Sequence, residues 1–211
     1  MIPLLARLLT FWIPLRGSRL RLRNGFIRLC YGLPVRLKVK KAGPHLHCAG
    51  PVHLTKHTEL ADHVCFNGAW ASGNGRLVIG RYFHSGDGLR IFTRNHNYDH
   101  GEAIPYDATY IAKDVIIGDF VWIGARVILL PGTKIGEGAI IQAGSVVHGE
   151  IPPLAIAGGN PAKVFAHRDA EHFNRLKARG NSTDTFSPLS RFVHGNQGPV
   201  KNRGKGAPLL L

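Results

Sequence analysis

The stretch VIIGDFVWIGARVILLPGTKIGEGAIIQAGSVV, from Val115 to Val147, carries a beat of six. Ile117, Ile123, Leu129, Ile135, Ile141 and Val147 hold one phase, with Gly118, Gly124 and Gly136 directly behind three of them. Two residues ahead of each aliphatic stand Val115, Val121, Val127, Thr133, Ala139 and Ser145, all small or β-branched. A period of six is neither the 2 of a sheet nor the 3.6 of a helix. A short strand followed by a sharp corner, repeated, produces it. Each aliphatic then points into a narrow prism and the next residue turns the corner. Glycine is expected there because it has no Cβ penalty at positive φ.

The same beat runs upstream. Leu54, Leu60 and Phe66 keep the spacing, preceded by Val52, Thr58 and Val64. After a slip of one residue in the glycine-rich stretch 67–76, Ile79, Ser85 and Ile91 resume it, preceded by Leu77, Phe83 and Leu89. Three sides make a coil of eighteen residues, so residues 52–152 are expected to hold four to five coils. Residues 92–114, FTRNHNYDHGEAIPYDATYIAKD, have no such beat and read as a loop thrown out from the prism. An insertion in a repeat scaffold is where specific chemistry is usually placed.

Charge divides the 211 residues unevenly. The net charge is +14, yet residues 59–168 hold nine basic and ten acidic side chains. Residues 1–58 hold eleven Lys or Arg and no Asp or Glu. The basic character belongs to the ends, without the interleaved aromatics or known module of a nucleic-acid binder, so no nucleic-acid partner is expected. Near the N-terminus Leu4, Leu5, Leu8, Leu9, Phe11, Trp12 and Ile13 precede Arg16, Arg19, Arg21 and Arg23. This stretch is too short to span a bilayer, and no small-residue cleavage site follows it. Two readings stand: peripheral contact with an anionic membrane face, or a helix capping the open end of the prism. Val35, Leu37 and Val39 alternate with Arg36, Lys38 and Lys40, which suits a first strand leading into the coils.

Cys30, Cys48 and Cys65 are odd in number and widely spaced, pointing to a reducing compartment and a cytoplasmic location. Residues 168–179 are expected to form one short helix ended by Gly180. From Asn181 the composition reads as a flexible tail. The division is thus an N-terminal region at 1–50, a repeat domain at 51–165 and a helix with tail at 166–211.

Residues 115–168, with PPLAIAGGNPAKV closing them, resemble the hexapeptide-repeat acyltransferases, in particular the group of galactoside, maltose and polysaccharide O-acetyltransferases. The run His96-Asn97-Tyr98-Asp99 looks closest to the polysaccharide branch, such as colanic acid acetyltransferases. That resemblance implies an all-β fold, a left-handed parallel β-helix. It also implies a homotrimer, with acetyl-CoA lying between neighbouring subunits as the acyl donor. His96, in the interrupting loop, is similar in placement to the family's catalytic histidine. Asp99 either orients its imidazole or caps the turn. Trp122 resembles the tryptophan that walls the pantetheine arm. The backbone N–H of Ala125 stands as oxyanion donor and Ala143 as a pantetheine contact. Lys163 and Arg168 would meet the phosphates of CoA. Asn67 and Tyr98 are candidate acceptor contacts, with a turn role as the plain alternative for Asn67.

The chemistry follows independently of any likeness. Moving an acetyl group from a thioester to a hydroxyl needs a base for the hydroxyl proton and donors for the oxyanion. Histidine, titrating near neutrality, suits the first task. The resemblance makes a sugar or surface-polysaccharide precursor the expected acceptor. The alternative is N-acetylation of a nucleotide-linked amino sugar, where an unprotonated amine needs less help. A zinc site of three imidazoles would have to draw on His84, His96 and His100. The closely spaced Gly-His segments of such sites are absent, so no metal is expected.

Overall fold

The computed structural model describes residues 30–180. Short parallel strands stack into three sheets that form the sides of a prism. Sheet A holds β1 (Lys41–Ala42), β4 (Thr58–Leu60), β7 (Leu77–Ile79), β12 (Val115–Ile117), β15 (Lys134–Ile135) and β18 (Glu150–Ile151). Sheet B holds β2 (Leu46–Cys48), β5 (Val64–Phe66), β8 (His84–Ser85), β13 (Trp122–Ile123), β16 (Ile140–Ile141), β19 (Ala155–Gly159) and β20 (Ala162–His167). Sheet C holds β3 (Val52–His53), β6 (Ala69–Ser72), β9 (Leu89–Phe92), β14 (Ile128–Leu129) and β17 (Val146–Val147). The chain visits A, B and C in turn, giving a left-handed parallel β-helix of about six turns. The first coil starts at Lys41.

Both phases of the beat face inward. Ile117, Ile123, Leu129, Ile141 and Val147 are at most 1% exposed, as are Val115, Val121, Val127 and Ala139. Register stacks like on like: Ile79, Ile117, Ile135 and Ile151 lie in one ladder of sheet A, and Ile91, Leu129 and Val147 in one of sheet C. Each such side chain contributes about 1.5–3 kcal/mol by leaving water, so the ladder is the chief source of stability. Thr133, buried in the core, donates its hydroxyl to the carbonyls of Leu130 (2.7 Å) and Val147 (3.0 Å), which satisfies its oxygen.

The corner glycines serve a different purpose from the one expected. Gly118, Gly124 and Gly136 do not occupy the left-handed region. They are glycine because a Cβ would strike the next coil, 2.9 Å from the nitrogen of Glu137, 2.5 Å from that of Ala143 and 2.4 Å from that of Pro153. The positive φ falls two residues later, at Phe120, Arg126, Gly132, Gly138 and Gly144, in its own beat of six. Each coil therefore needs a bare residue for close stacking and a left-handed residue for the turn.

Residues 30–38 are helical (α1), which corrects the expected strand. Val35 and Val39 are one helical turn apart, joined by a 3.0 Å backbone bond, and both are buried in the core cluster while Leu37 is 79% exposed. Alternation and helical spacing coincide at positions 35 and 39; the open end of the first coil decides in favour of the helix. The segment before residue 30 and the tail after 180 lie outside the described residues. At the other end Asp169 caps α2 (Ala170–Ala178) by accepting from the N–H of His172 at 2.9 Å. Phe173 of α2 drops onto Gly138, where a Cβ would meet its ring at 2.9 Å. The ring meets Phe120 edge-on at 5.8 Å. Above that corner Tyr82 stacks on Phe120 at 4.9 Å, and His63 on Tyr82 at 4.7 Å.

Phe173→Ala empties this socket and is expected to lower stability by about 3 kcal/mol. Urea unfolding measures it; an unchanged midpoint would mean that α2 does not hold to the coils.

Candidate active site

Between β9 and β12 the chain leaves the prism as an antiparallel hairpin, β10 (Arg94–His96) paired with β11 (Tyr110–Ala112), His96 opposite Tyr110. Its base is pinned to the corner between sheets C and A by Thr93 N–H to Ser72 O (2.9 Å) and Val115 N–H to Arg76 O (2.9 Å). Its tip is ordered from within. Asn97 bonds Thr109 through both backbone (3.2 Å) and side chain (3.1 Å), and the Asp107 carboxylate accepts the N–H groups of Glu102 and Thr109 at 2.9 and 2.8 Å. Those donors hold the Asp107 carboxyl below its ordinary range, the Thr109 hydroxyl first among them. His96 is half-buried on this arm. Its ring lies against Tyr106 with centroids 3.7 Å apart and beside Tyr110 at 4.7 Å. Its Nδ1 is buried with no hydrogen-bond partner. Asp99 is exposed, and no hydrogen bond or ion pair joins it to His96. Tyr98 is 64% exposed on the same arm.

A second group lies at the corner between sheets B and C. On the outside of sheet B, His84, Trp122, Ile140 and Ile156 occupy successive rungs, and Ile140 is only 7% exposed although it faces outward. Trp122 is half-buried in this column. One corner on, the N–H groups of Ala125 and Ala143 have no hydrogen-bond partner among the described residues. Gly86 and Gly124 explain their access: a Cβ at either would sit 2.6 or 2.5 Å from those nitrogens. Asn67 stands at the same corner one coil before Gly86 and two before Ala125, its Nδ2 3.5 Å from Nε2 of His84. Burial holds the His84 imidazole below its ordinary 6.5.

The closing loop is the turn between β19 and β20. Gly158 packs against the Gln142 side chain, and the N–H of Gly159 donates to the Ser145 hydroxyl at 3.1 Å. Lys163 is exposed opposite Gly158 and forms no ion pair among the described residues. Arg168 is engaged elsewhere. It donates to Gly138 O at 3.2 Å and lies 5.0 Å from the Phe173 ring centroid. The structure thus brings Asn67, Trp122, Ala125 and Ala143 to one corner, with Lys163 beyond them on sheet B. His96, Tyr98 and Asp99 stand on the arm at another corner. Among the described residues no hydrogen bond or ring contact joins the two groups within one chain.

Sequence reasoning weighed His84 only as a zinc ligand, and did not single out Tyr106 or Tyr110. His84 sits on a repeat position, where its outward phase was the available signal. The tyrosines return to His96 only through the hairpin register, which leaves no periodic mark. A third cluster, His45, Asp62 and His63, has its ligand-type atoms within 4.8 Å of one another. Both imidazole Nδ1 atoms lie 3.0–3.1 Å from Asp62 oxygens, and the backbone N–H groups of His45 and His63 donate to the same carboxylate. The rings stack at 4.3 Å with planes 26° apart, so their nitrogens run side by side toward the carboxylate. The cluster staples the first coil to the second. Its donors hold Asp62 at about 2 against the raising effect of burial, the largest single influence.

Residues 114–149 match the family described as bacterial transferase hexapeptide (six repeats). A hexapeptide-repeat containing acetyltransferase from Vibrio cholerae, solved with acetyl coenzyme A, superposes with a TM-score of 0.56 at 26% identity, covering 72% of this chain and 89% of that one. Galactoside acetyltransferase in complex with coenzyme A gives a TM-score of 0.50 at 21% identity, over 83% of each chain, a likeness of fold. In sequence, chloramphenicol acetyltransferase of Klebsiella aerogenes is 35% identical over 109 residues, 44% of this chain and 52% of that protein. The chain spans about half the length of the curated relatives it matches. The likeness to hexapeptide-repeat acetyltransferases therefore holds in repeat and fold.

A histidine held neutral by burial adds stability above its unfolded pKa that is lost as pH falls, because the unfolded chain takes up the proton more readily. Unfolding midpoints in urea are expected to drop from about pH 7 to about pH 5, and His84→Gln to flatten that slope. An identical slope in the variant would show that His84 carries none of it.

Proposed function

We propose that this protein transfers an acetyl group from acetyl-CoA to a hydroxyl of a sugar or surface-polysaccharide precursor. The observation that carries the reading is the arm: a histidine on an ordered hairpin, with Nδ1 buried and unpartnered, leaves Nε2 to meet a hydroxyl. In the reaction Nε2 of His96 takes the hydroxyl proton as the oxygen attacks the thioester carbon. Negative charge moves to the former carbonyl oxygen, where the free N–H of Ala125 can donate to it. The tetrahedral intermediate collapses, the C–S bond breaks, and the CoA thiolate receives the proton from the imidazolium. Trp122 walls the pantetheine, Ala143 continues its hydrogen bonding, and Lys163 offers a point charge to a phosphate. Asn67 and Tyr98 meet the acceptor. Arg168, bonded to Gly138 O, serves the C-terminal helix in this reading.

The two groups stand at different corners of one chain, so the site is completed between copies, which supports a homotrimer with His96 of one subunit beside the donor groove of the next. No disulfide forms among the described residues, and burial pushes Cys48 up to about 12, where it stays protonated and inert, in keeping with the cytoplasm. No helix among the described residues is long and apolar enough to cross a membrane. Leu33 and Leu37 lie exposed on the outer side of α1, and residues 1–58 carry eleven basic side chains and no acidic one. These features support peripheral contact with an anionic membrane and a lipid-linked acceptor.

His96→Ala is expected to lower turnover on the true acceptor by about 10²–10⁴-fold while acetyl-CoA affinity stays within about twofold. Transfer surviving within a few fold would rule out the hydroxyl mechanism. Mass spectrometry on a panel of sugars, nucleotide sugars including amino sugars, and chloramphenicol decides between hydroxyl and amine acceptors. Deleting residues 1–30 is expected to abolish sedimentation with vesicles containing phosphatidylglycerol; equal sedimentation would remove the membrane contact.

A further inference from the structure

The imidazole that the proposed reaction needs has no hydrogen-bonded anchor among the described residues. Nδ1 of His96 is buried without a partner, and Asp99, the carboxylate nearest in sequence, is exposed and unbonded to it. A ring held only at Cβ turns about its last torsion unless its faces are packed. Here both neighbours are tyrosines. Tyr106 lies against the ring at 3.7 Å with the planes 25° apart, and Tyr110 stands at 4.7 Å with a tilt of 39°. The guanidinium of Arg94 lies 4.1 Å from the Tyr110 ring centroid, so Tyr110 already receives a cation. No cation lies over Tyr106 among the described residues.

We propose that Tyr106, backed by Tyr110, is the positioning residue for His96: its ring face fixes the plane of the imidazole and stabilises the imidazolium that forms when the acceptor proton arrives. The proposal rests on the reading of His96 as the base. The face of an aromatic ring is negative, so it attracts the charged form of the imidazole more than the neutral one. The attraction therefore grows as the proton moves, which is the condition for lowering a barrier rather than tightening binding. A carboxylate performs the same two services in the familiar triad. On this arm Asp107 is spent on the N–H groups of Glu102 and Thr109, and Asp99 is exposed and not bonded to His96, so the π face takes the place of the acid. Arg94 divides the labour between the tyrosines: the ring that already bears a guanidinium gains less from a second cation, which leaves charge stabilisation to Tyr106.

The test compares Tyr106→Phe, Tyr106→Leu and Tyr106→Ala in the full chain. Tyr106 is 46% exposed, and the leucine variant keeps bulk without a π face. Phenylalanine is expected to retain kcat within about twofold. Leucine and alanine are expected to lower kcat by about threefold to thirtyfold with the KM for acetyl-CoA unchanged. In proton NMR the Hε1 signal of His96, assigned by its loss in His96→Ala, is expected to be shifted upfield by the tyrosine ring. It should move back in the leucine variant and stay in the phenylalanine one. Wild-type kcat in Tyr106→Leu, a phenylalanine variant as slow as leucine, or a rise in KM in place of the fall in kcat would each overturn the proposal. The NMR shift is read without turnover. If His96→Ala stays active the base assignment falls, while the Hε1 result still reports whether Tyr106 holds the ring.

Discussion

Gly124 lies so close to the coil above it that a Cβ would stand 2.5 Å from the nitrogen of Ala143. That approach lets two coils share backbone hydrogen bonds, such as Gly124 N–H to Ile141 O at 2.8 Å, and the aliphatic ladders depend on the same stacking. It also shapes the proposed donor groove. The corner residue that must be bare for the coils to stack leaves the neighbouring N–H of Ala143 without a partner, and Gly86 does the same for Ala125. Unpaired N–H groups in a row along one edge are a cost to a scaffold and an asset to a site that must hold a carbonyl and an amide chain.

The repeat was legible because its physics is local and periodic. Every aliphatic at the two inward phases between Val115 and Val147 is buried, and the single interruption is the single arm. The role of the glycines was misread because sequence shows a bare residue without showing why. The left-handed φ sits two positions on, at residues as bulky as Phe120 and Arg126. The helix at 30–38 was misread because Val35 and Val39 fit an alternating strand and a helical turn equally well. What no pattern could announce is contact between distant residues: Phe173 over Gly138, Tyr106 over His96, Asn67 beside His84. His96 itself was readable as a histidine in a polar interruption. The absence of a carboxylate at its side was not, since Asp99 is only three residues away in the chain.

The molecule separates two tasks. In the proposed reaction the prism supplies an edge with backbone donors at Ala125 and Ala143, and the arm supplies the histidine that takes the proton. Ion pairs such as Arg81 with Asp119 (2.7 Å) and Lys177 with Glu137 (2.6 Å) run along the opposite corner, where they hold coils and helix together at the surface and contribute little individually. The arm is bonded within itself and to its own corner.

The most direct measurement is a crystal structure of the full chain with acetyl-CoA, in which the position of the thioester is read against His96 and Ala125. The account predicts the thioester carbonyl within about 3–3.5 Å of the Ala125 N–H, with Nε2 of His96 from a neighbouring copy facing the open side of the carbonyl carbon. A donor bound away from the corner of Ala125 and Ala143, or an imidazole too remote from the thioester to share a hydroxyl with it, would contradict it.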